Sequence, residues 1–323
     1  MNRISRMLAA ASLSALAAVA AAQTGAHDQT SAAKQQVLWG KLEAQIRDID
    51  RTLDGVMGVA IEDLTTGQKF LLHEDEVFPQ ASSIKITVLA ELYHQAQLSA
   101  GGASGKAKLT DLYIVNPKDL VQDSDIMGGL TPGVTRVTNR DLATMMVAVS
   151  DNSAANVLID RVGMENVNAL LDSLGLEHTR LRRKMMDLKA ASEGRENIST
   201  PREMMTLLEQ IYAGKVLNKE MSDDFLKMLS THKYSAISRD LPEGVRSADK
   251  PGELEGVRTD SGIVFAANRP YVISVMTSYL HNERDGAEAI ARISVAAYSL
   301  FDRLGRASEY GRVVSTSNGS NAH

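Results

Sequence analysis

Apolar residues recur at Val37, Leu38, Leu42, Ile46 and Ile49 between Gln36 and Leu53, a spacing that puts them on one face of a helix. The pattern then changes period. Gly55 to Leu64 and Gln68 to His73 alternate like strands around Thr65-Thr66-Gly67, which predicts a hairpin. From Ser82 to about Ser230 helical spacing dominates: Ile84, Val88 and Leu92 stand at i, i+4 and i+8, and Thr200-Pro201 starts a helix with Thr200 as N-cap and Pro201 as N1. Strand-like segments return at Val245–Asp249, Gly256–Ala266 and Tyr271–Ser278, the last two separated by Ala267-Asn268-Arg269-Pro270. A long amphipathic helix from about Gly286 to Leu304 closes the pattern, and Ser308 to His323 is a polar tail read as flexible.

Two strands near the start and three near the end, with helices between, predict an α/β two-domain (α+β) fold. An antiparallel sheet of about five strands, flanked by terminal helices, would carry an inserted all-α domain. The catalytic unit spans 36–306, with a sheet subdomain of 36–80 plus 232–306 and an α subdomain of 81–231; 307–323 form the tail. A cleft between the two is the expected place for a site.

Composition narrows the class. The chain has 323 residues, 44% hydrophobic and 23% charged, ample for a large core. Residues 1–22 read as a secretory signal: Arg3 and Arg6 form a basic start, Met7 to Val19 an Ala/Leu core, and Ala20-Ala21-Ala22 a cleavage site. Residues 23–35 form a polar lead-in. Export to the periplasm or medium of a bacterium follows, with no membrane anchor after cleavage. There is no cysteine, which excludes a thiol nucleophile, a disulfide and lipid attachment through a thiol. The formal charge of −5 becomes more negative once Arg3 and Arg6 are lost, which argues against a nucleic-acid partner. The seven histidines show no metal-ligand spacing, so neither a metal nor another cofactor is expected. No G-x-S-x-G elbow occurs.

The candidate chemistry lies in three short strings. S-x-x-K occurs at Ser31/Lys34, Ser82/Lys85 and Ser247/Lys250, so context must choose among them. Ser82 stands where an extended segment gives way to a helix, and at a spacing of three Lys85 Nζ can reach Ser82 Oγ. Ser150-Asp151-Asn152 falls on a tight turn between the helical runs Arg140–Val149 and Ala154–Val162. Lys250-Pro251-Gly252 follows in the late strand region. Taken singly, Ser82 and Lys85 also read as a plain helix start, Ser150 to Asn152 as capping residues, and Lys250 as a strand lysine.

Taken in order, these strings resemble the motif set of class A β-lactamase-type serine hydrolases, and the likeness runs from about residue 36 to 306. The resemblance implies that Ser82 is the acylated nucleophile and Lys85 its base. Ser150 would pass a proton to the leaving nitrogen, and Asn152 would hold the substrate's amide side chain. Lys250 would attract a substrate carboxylate, with Arg258 assisting from the next strand, and Gly252 would be a further substrate contact. The N–H groups of Ser82 and Leu254 would form the oxyanion hole. Two features depart from the pattern. No glutamate lies between Arg180 and Ser192, where the family's Ω-loop places one to activate the deacylating water, and Asp187 is the nearby carboxylate that could substitute. Glu196 or Asn197 would close that loop against Arg183. Pro251 replaces the hydroxyl residue of Lys-Thr-Gly.

The expected activity is acylation of Ser82 by β-lactams or related amides and esters, with slow deacylation. A penicillin-binding or D-alanyl peptidase-like acyl-transferase, an esterase, and a binding protein that kept the cleft are the alternatives. The partner implied is a small-molecule substrate, and the chain is expected to be a monomer.

Overall fold

The computed structural model describes residues 32–313 of the chain. The expected leader, most of the lead-in and the last part of the tail lie outside them; 32–35 are already helical. Helix α1 runs over 32–52 and leads into β1 (Val56–Asp63) and β2 (Lys69–Leu72), the predicted hairpin. β3 (Phe78–Pro79) precedes a 3₁₀ turn at Ala81–Ile84, and α2 (Lys85–Ala100) follows. A small ribbon of β4 (Leu112–Ile114) and β5 (Arg136–Thr138) then leads to α3 (Asn139–Ala148), α4 (Asn152–Val162) and α5 (Met164–Ser173). The short helix α6 (Leu188–Ser192) and β6 (Ile198–Ser199) precede α7 (Pro201–Tyr212), α8 (Lys219–Leu229) and α9 (Ala236–Arg239). Three long strands close the sheet, β7 (Ser247–Leu254), β8 (Val257–Val264) and β9 (Tyr271–Ser278), before α10 (Glu283–Arg306).

The sheet order is β2-β1-β9-β8-β7 with antiparallel neighbours, so the first hairpin joins the last strands through the β1–β9 ladder, Val56↔Ser278 to Asp63↔Tyr271. α1 and α10 cover one face around Trp39, Tyr271 and Phe301, whose rings stack at 4.2 Å (Tyr271–Phe301) and meet edge-on at 5.5 Å (Trp39–Phe301). The other face packs on the inserted helices through a core that includes Ile84, Val88 and Leu92, all fully buried as their spacing requires. Among the described residues no helix is long and apolar enough to cross a membrane.

Two differences from the sequence pattern bear on the site. The strand read as ending at Asp249 continues through Lys250-Pro251-Gly252 to Leu254. Proline has no N–H to give a ladder, but β7 is an edge strand, where a proline can face outward. Ser82 lies not in the first turn of α2 but in the 3₁₀ turn before it, after Ala81 at φ +48°. A left-handed alanine costs about 1–3 kcal/mol, and the surrounding contacts must hold it.

Candidate active site

Ser83, next to the candidate nucleophile, ties the helical insert to the sheet: its buried Oγ donates to Lys250 O at 2.8 Å and lies 2.8 Å from Thr259 Oγ1. β7 runs against this turn so closely that a Cβ on Gly252 would meet Gln80 O at 2.5 Å and Ser83 N at 2.8 Å. Gly252 therefore serves the close approach of two backbones, and it is not among the residues that line the cleft.

The second string is anchored from below. Asp151 is fully buried; its carboxylate caps α4 by accepting from Ala154 N at 2.9 Å and holds the 123–127 loop through Met127 N at 2.9 Å and Ile126 N at 3.2 Å. Asn152 N donates to Asp123 O at 3.1 Å. Ser150 itself sits at φ +58°, a left-handed turn residue held by these contacts.

Two buried lysines meet at Ser150. Lys85 Nζ donates to Ser150 O at 2.5 Å, Ser150 Oγ at 3.0 Å and Asn152 Oδ1 at 2.8 Å. Lys250 Nζ donates to Ser150 Oγ at 3.1 Å and to Pro251 O at 3.0 Å. They are 1% and 2% exposed. Burial, and then the charge of Lys250, hold Lys85 well below the ordinary lysine range, so its neutral, basic form is accessible. Burial likewise brings Lys250 down to about 8, although Asp260 opposes the shift. Asp260 is buried beside Asp249, and desolvation and that neighbour push its carboxyl up. The expected Ser82–Lys85 hydrogen bond is not formed in this arrangement, because the three bonds of Lys85 go to Ser150 and Asn152.

The cleft over these groups holds about 490 Å³ and is lined by Ser82, Ser150, Asn152 and Lys250, with Pro251 and Leu254 on the β7 side. Its floor is the loop expected to resemble the Ω-loop. Arg183 closes that loop with Glu196 at 2.8 Å, and Asn197 Oδ1 accepts from Arg182 N at 2.7 Å and Arg183 N at 3.0 Å, so both expected partners take part. Asn156 clamps the next stretch, accepting from Met185 N at 2.8 Å and donating to Met185 O at 3.0 Å. This clamp sets Met185 and Met186 in the cleft lining beside Arg183 and Asn197 of the same loop, with Leu188 beyond them.

Asp187 does not join them. It is exposed, and its carboxylate N-caps α6 by accepting from Ala190 N at 2.9 Å. A free carboxylate at the start of a helix satisfies an orphan N–H there. Arg258 is also turned away. Its Cβ faces Gly286 of α10, and its Nη1 donates to Leu254 O at 2.9 Å and Val257 O at 2.8 Å, so it braces the β7–β8 turn instead of lining the cleft. A cation the sequence did not single out does line it: Lys233, whose Nζ donates to Leu229 O at 2.7 Å and whose pKa burial lowers. Thr231-His232-Lys233-Tyr234 carries no motif, so only the fold could have found it.

The sheet register moves one backbone donor as well. Antiparallel partners exchange both ladder bonds or neither, and Pro251, opposite Asp260, has no N–H to exchange. Alternation makes Glu253↔Arg258 a second non-bonded pair, with the Glu253 N–H on the open edge. Leu254↔Val257, closing the two-residue turn, is a bonded pair that uses the Leu254 N–H. The free donor beside Ser82 is thus Glu253, one residue before the position expected. Among the described residues no three His, Asp or Glu side chains converge to hold a metal.

A model of the β-lactamase enzyme family matches residues 41–301. β-Lactamase SME-1 of Serratia marcescens is 27% identical over 271 residues, covering 78% of this chain and 87% of that protein. The imipenem-hydrolysing β-lactamase of Enterobacter cloacae is 26% identical over 273 residues, with 80% and 88% covered. Among solved structures, a β-lactamase from Sphaerobacter thermophilus superposes with a TM-score of 0.71 at 30% identity, over 80% of this chain and 96% of that one. PBP-A, also solved as a mutant in an acyl-enzyme complex with penicillin G, superposes with a TM-score of 0.72 at 25% identity, over 81% of this chain.

Proposed function

The chain belongs to the β-lactamase enzyme family and is a hydrolase of the class A β-lactamase type, and from that premise we propose that it forms a long-lived acyl-enzyme on Ser82. The observation that carries the reading is the meeting of two buried lysines on Ser150 Oγ beside Ser82. Neutral Lys85 takes the Ser82 proton as Oγ attacks the carbonyl carbon of a β-lactam, amide or ester. The N–H groups of Ser82 and Glu253 stabilise the oxyanion, each such donor being worth about 2.7–4 kcal/mol in comparable sites. As the C–N bond of a lactam or amide, or the C–O bond of an ester, breaks, the Ser150 hydroxyl gives its proton to the leaving nitrogen or oxygen and is resupplied by a lysine. Asn152 holds the acyl amide, and Lys250 with Lys233 attracts the substrate carboxylate.

The ester must then be hydrolysed by water. The loop under the cleft contributes Arg183, Met185, Met186, Leu188 and Asn197 but no carboxylate, and Asp187 is engaged as a helix cap. Deacylation therefore relies on Lys85 and is slow. The same floor without a carboxylate supports a second reading, an acyl-transferase of the penicillin-binding kind, in which an amine replaces water as acceptor; the likeness to PBP-A accords with it. Rapid-quench kinetics with a penicillin separate these from ordinary turnover. A burst near one equivalent followed by a slow phase is expected, and an added amino-acid acceptor that speeds the slow phase would favour the transferase. Fast turnover with no burst would overturn both.

A further inference from the structure

On the face of the sheet opposite the cleft, α1 and α10 leave a groove of about 460 Å³ between them, within the size range of small-molecule sites. The start of α1 lies against the end of α10, Lys34 Nζ donating to Tyr310 O at 3.2 Å and Trp39 meeting Phe301 edge-on, so the two helices run antiparallel along the groove; Arg239, beside Asp240, bonds Glu288 toward the other end of α10. Its wall is an apolar stripe, with Leu38 and Leu42 on α1 and Val295, Ala296 and Leu300 on α10. Val295 is 40% exposed there.

The charge along the groove is uneven. Lys41 and Arg303 lie two residues beyond Trp39 and Phe301, at the same end. Neither has a carboxylate partner among the described residues; Arg303 donates only to Ser299 Oγ, at 2.9 Å. Arg292 is likewise without an acid. The two acids that line the groove belong to its far end and are occupied, Asp48 by Arg51 and Asp240 by Arg239. An uncompensated pair of cations thus stands beside an apolar channel.

We propose that this groove binds a single-chain amphipathic anion, its head on Lys41 and Arg303 and its alkyl tail along Leu42, Val295 and Ala296. Neither element alone suffices: the cations would hold a small anion weakly in water, and the apolar strip alone would not select charge. Fatty carboxylates and alkyl sulfates share the required chemistry, and the site is separate from Ser82, so it stands whether or not the acyl-enzyme reading holds.

Trp39, the single tryptophan of the chain, is a built-in reporter under the cationic end. Its emission would be followed as dodecanoate, dodecyl sulfate, dodecanol and acetate are each titrated below their micellar or solubility limits, with calorimetry for stoichiometry. Saturable one-to-one binding of the two long-chain anions is expected, with dodecanol and acetate at least about tenfold weaker. The Lys41→Glu/Arg303→Glu variant should lose at least about tenfold for the anions and little for dodecanol, circular dichroism confirming that it folds. No saturable binding, equal binding of dodecanol, or undiminished anion binding by the variant would each overturn the proposal. Dodecyl sulfate binding without dodecanoate would restrict the class to sulfates.

Discussion

Substituting Met185 by glutamate tests whether slow deacylation comes from one missing carboxylate. Met185 is 7% exposed, lines the cleft, and is held by the Asn156 amide through its own backbone N and O, at 2.8 and 3.0 Å. The clamp does not depend on the side chain, so a glutamate would be delivered to the same place. Its near-equal length would put the carboxylate in the cleft that Ser82 and Lys250 also line, where burial would raise its pKa and a nearby ammonium would oppose the rise. A positioned general base contributes about 10²–10⁴-fold to the step it serves. The slow phase after the burst should accelerate by that range, while the burst rate, set by Lys85, stays within a few-fold. Burying the new charge should destabilise the fold by about 0.5–3 kcal/mol, so a melt must accompany the kinetics. Stopped-flow and rapid-quench assays with one penicillin provide both phases. Met185→Gln, with the same shape and no base, should leave the slow phase unchanged. A folded Met185→Glu variant whose slow phase does not move, or a glutamine variant that accelerates equally, would refute the reasoning.

Other consequences follow from the same geometry. Lys250 is charged below about 8 and neutral above it, so kcat/KM for carboxylate-bearing substrates should fall as pH rises through about 8. Lys250→Arg, which keeps its charge, should move that limb out of range. The unfolded chain keeps the Lys250 proton up to its ordinary value near 10.5, so Lys250 makes stability rise with pH between about 8 and 10.5; urea titrations should show that rise flattened in Lys250→Met. Pro251→Thr restores a hydroxyl and an edge N–H beside the substrate carboxylate. Acylation by carboxylate-bearing substrates should rise about ten- to a hundred-fold over neutral esters, and an equal effect on both would place the anchor elsewhere. Asp187→Ala should lower stability by about 0.5–2 kcal/mol through loss of the α6 cap and leave the slow kinetic phase untouched; a slower phase would restore Asp187 as a base.

The helices were legible because burial imposes a 3.6-residue period that shows in single side chains: Leu42, Ile46 and Ile49 in α1, and Ile84 at the N-cap of α2 with Val88 and Leu92 inside it, all face cores. The order of Ser82, Ser150 and Lys250 was legible for another reason, since each string carries several residue types at fixed spacing. Three features were not. β7 looked broken at Pro251 because a proline ends most strands, and only its edge position, set by pairings across the whole chain, lets it stay. The face on which Arg258 stands depends on a register that alternation alone leaves free by one residue, and that same register passes the free N–H from Leu254 to Glu253. Lys233 enters the cleft from a loop without pattern. Asp187 is a different case: an aspartate directly before Leu188-Lys189-Ala190-Ala191 is a helix start signal, and that signal was available in the sequence.

The central claim is a covalent ester on Ser82, and intact-protein mass measurement after mixing with a penicillin reads it directly. The account predicts one added penicilloyl mass that persists for many turnovers' time and maps to the peptide carrying Ser82, with none on Ser82→Ala. An adduct on another residue, or no adduct with several β-lactams and activated esters on folded protein, would contradict it.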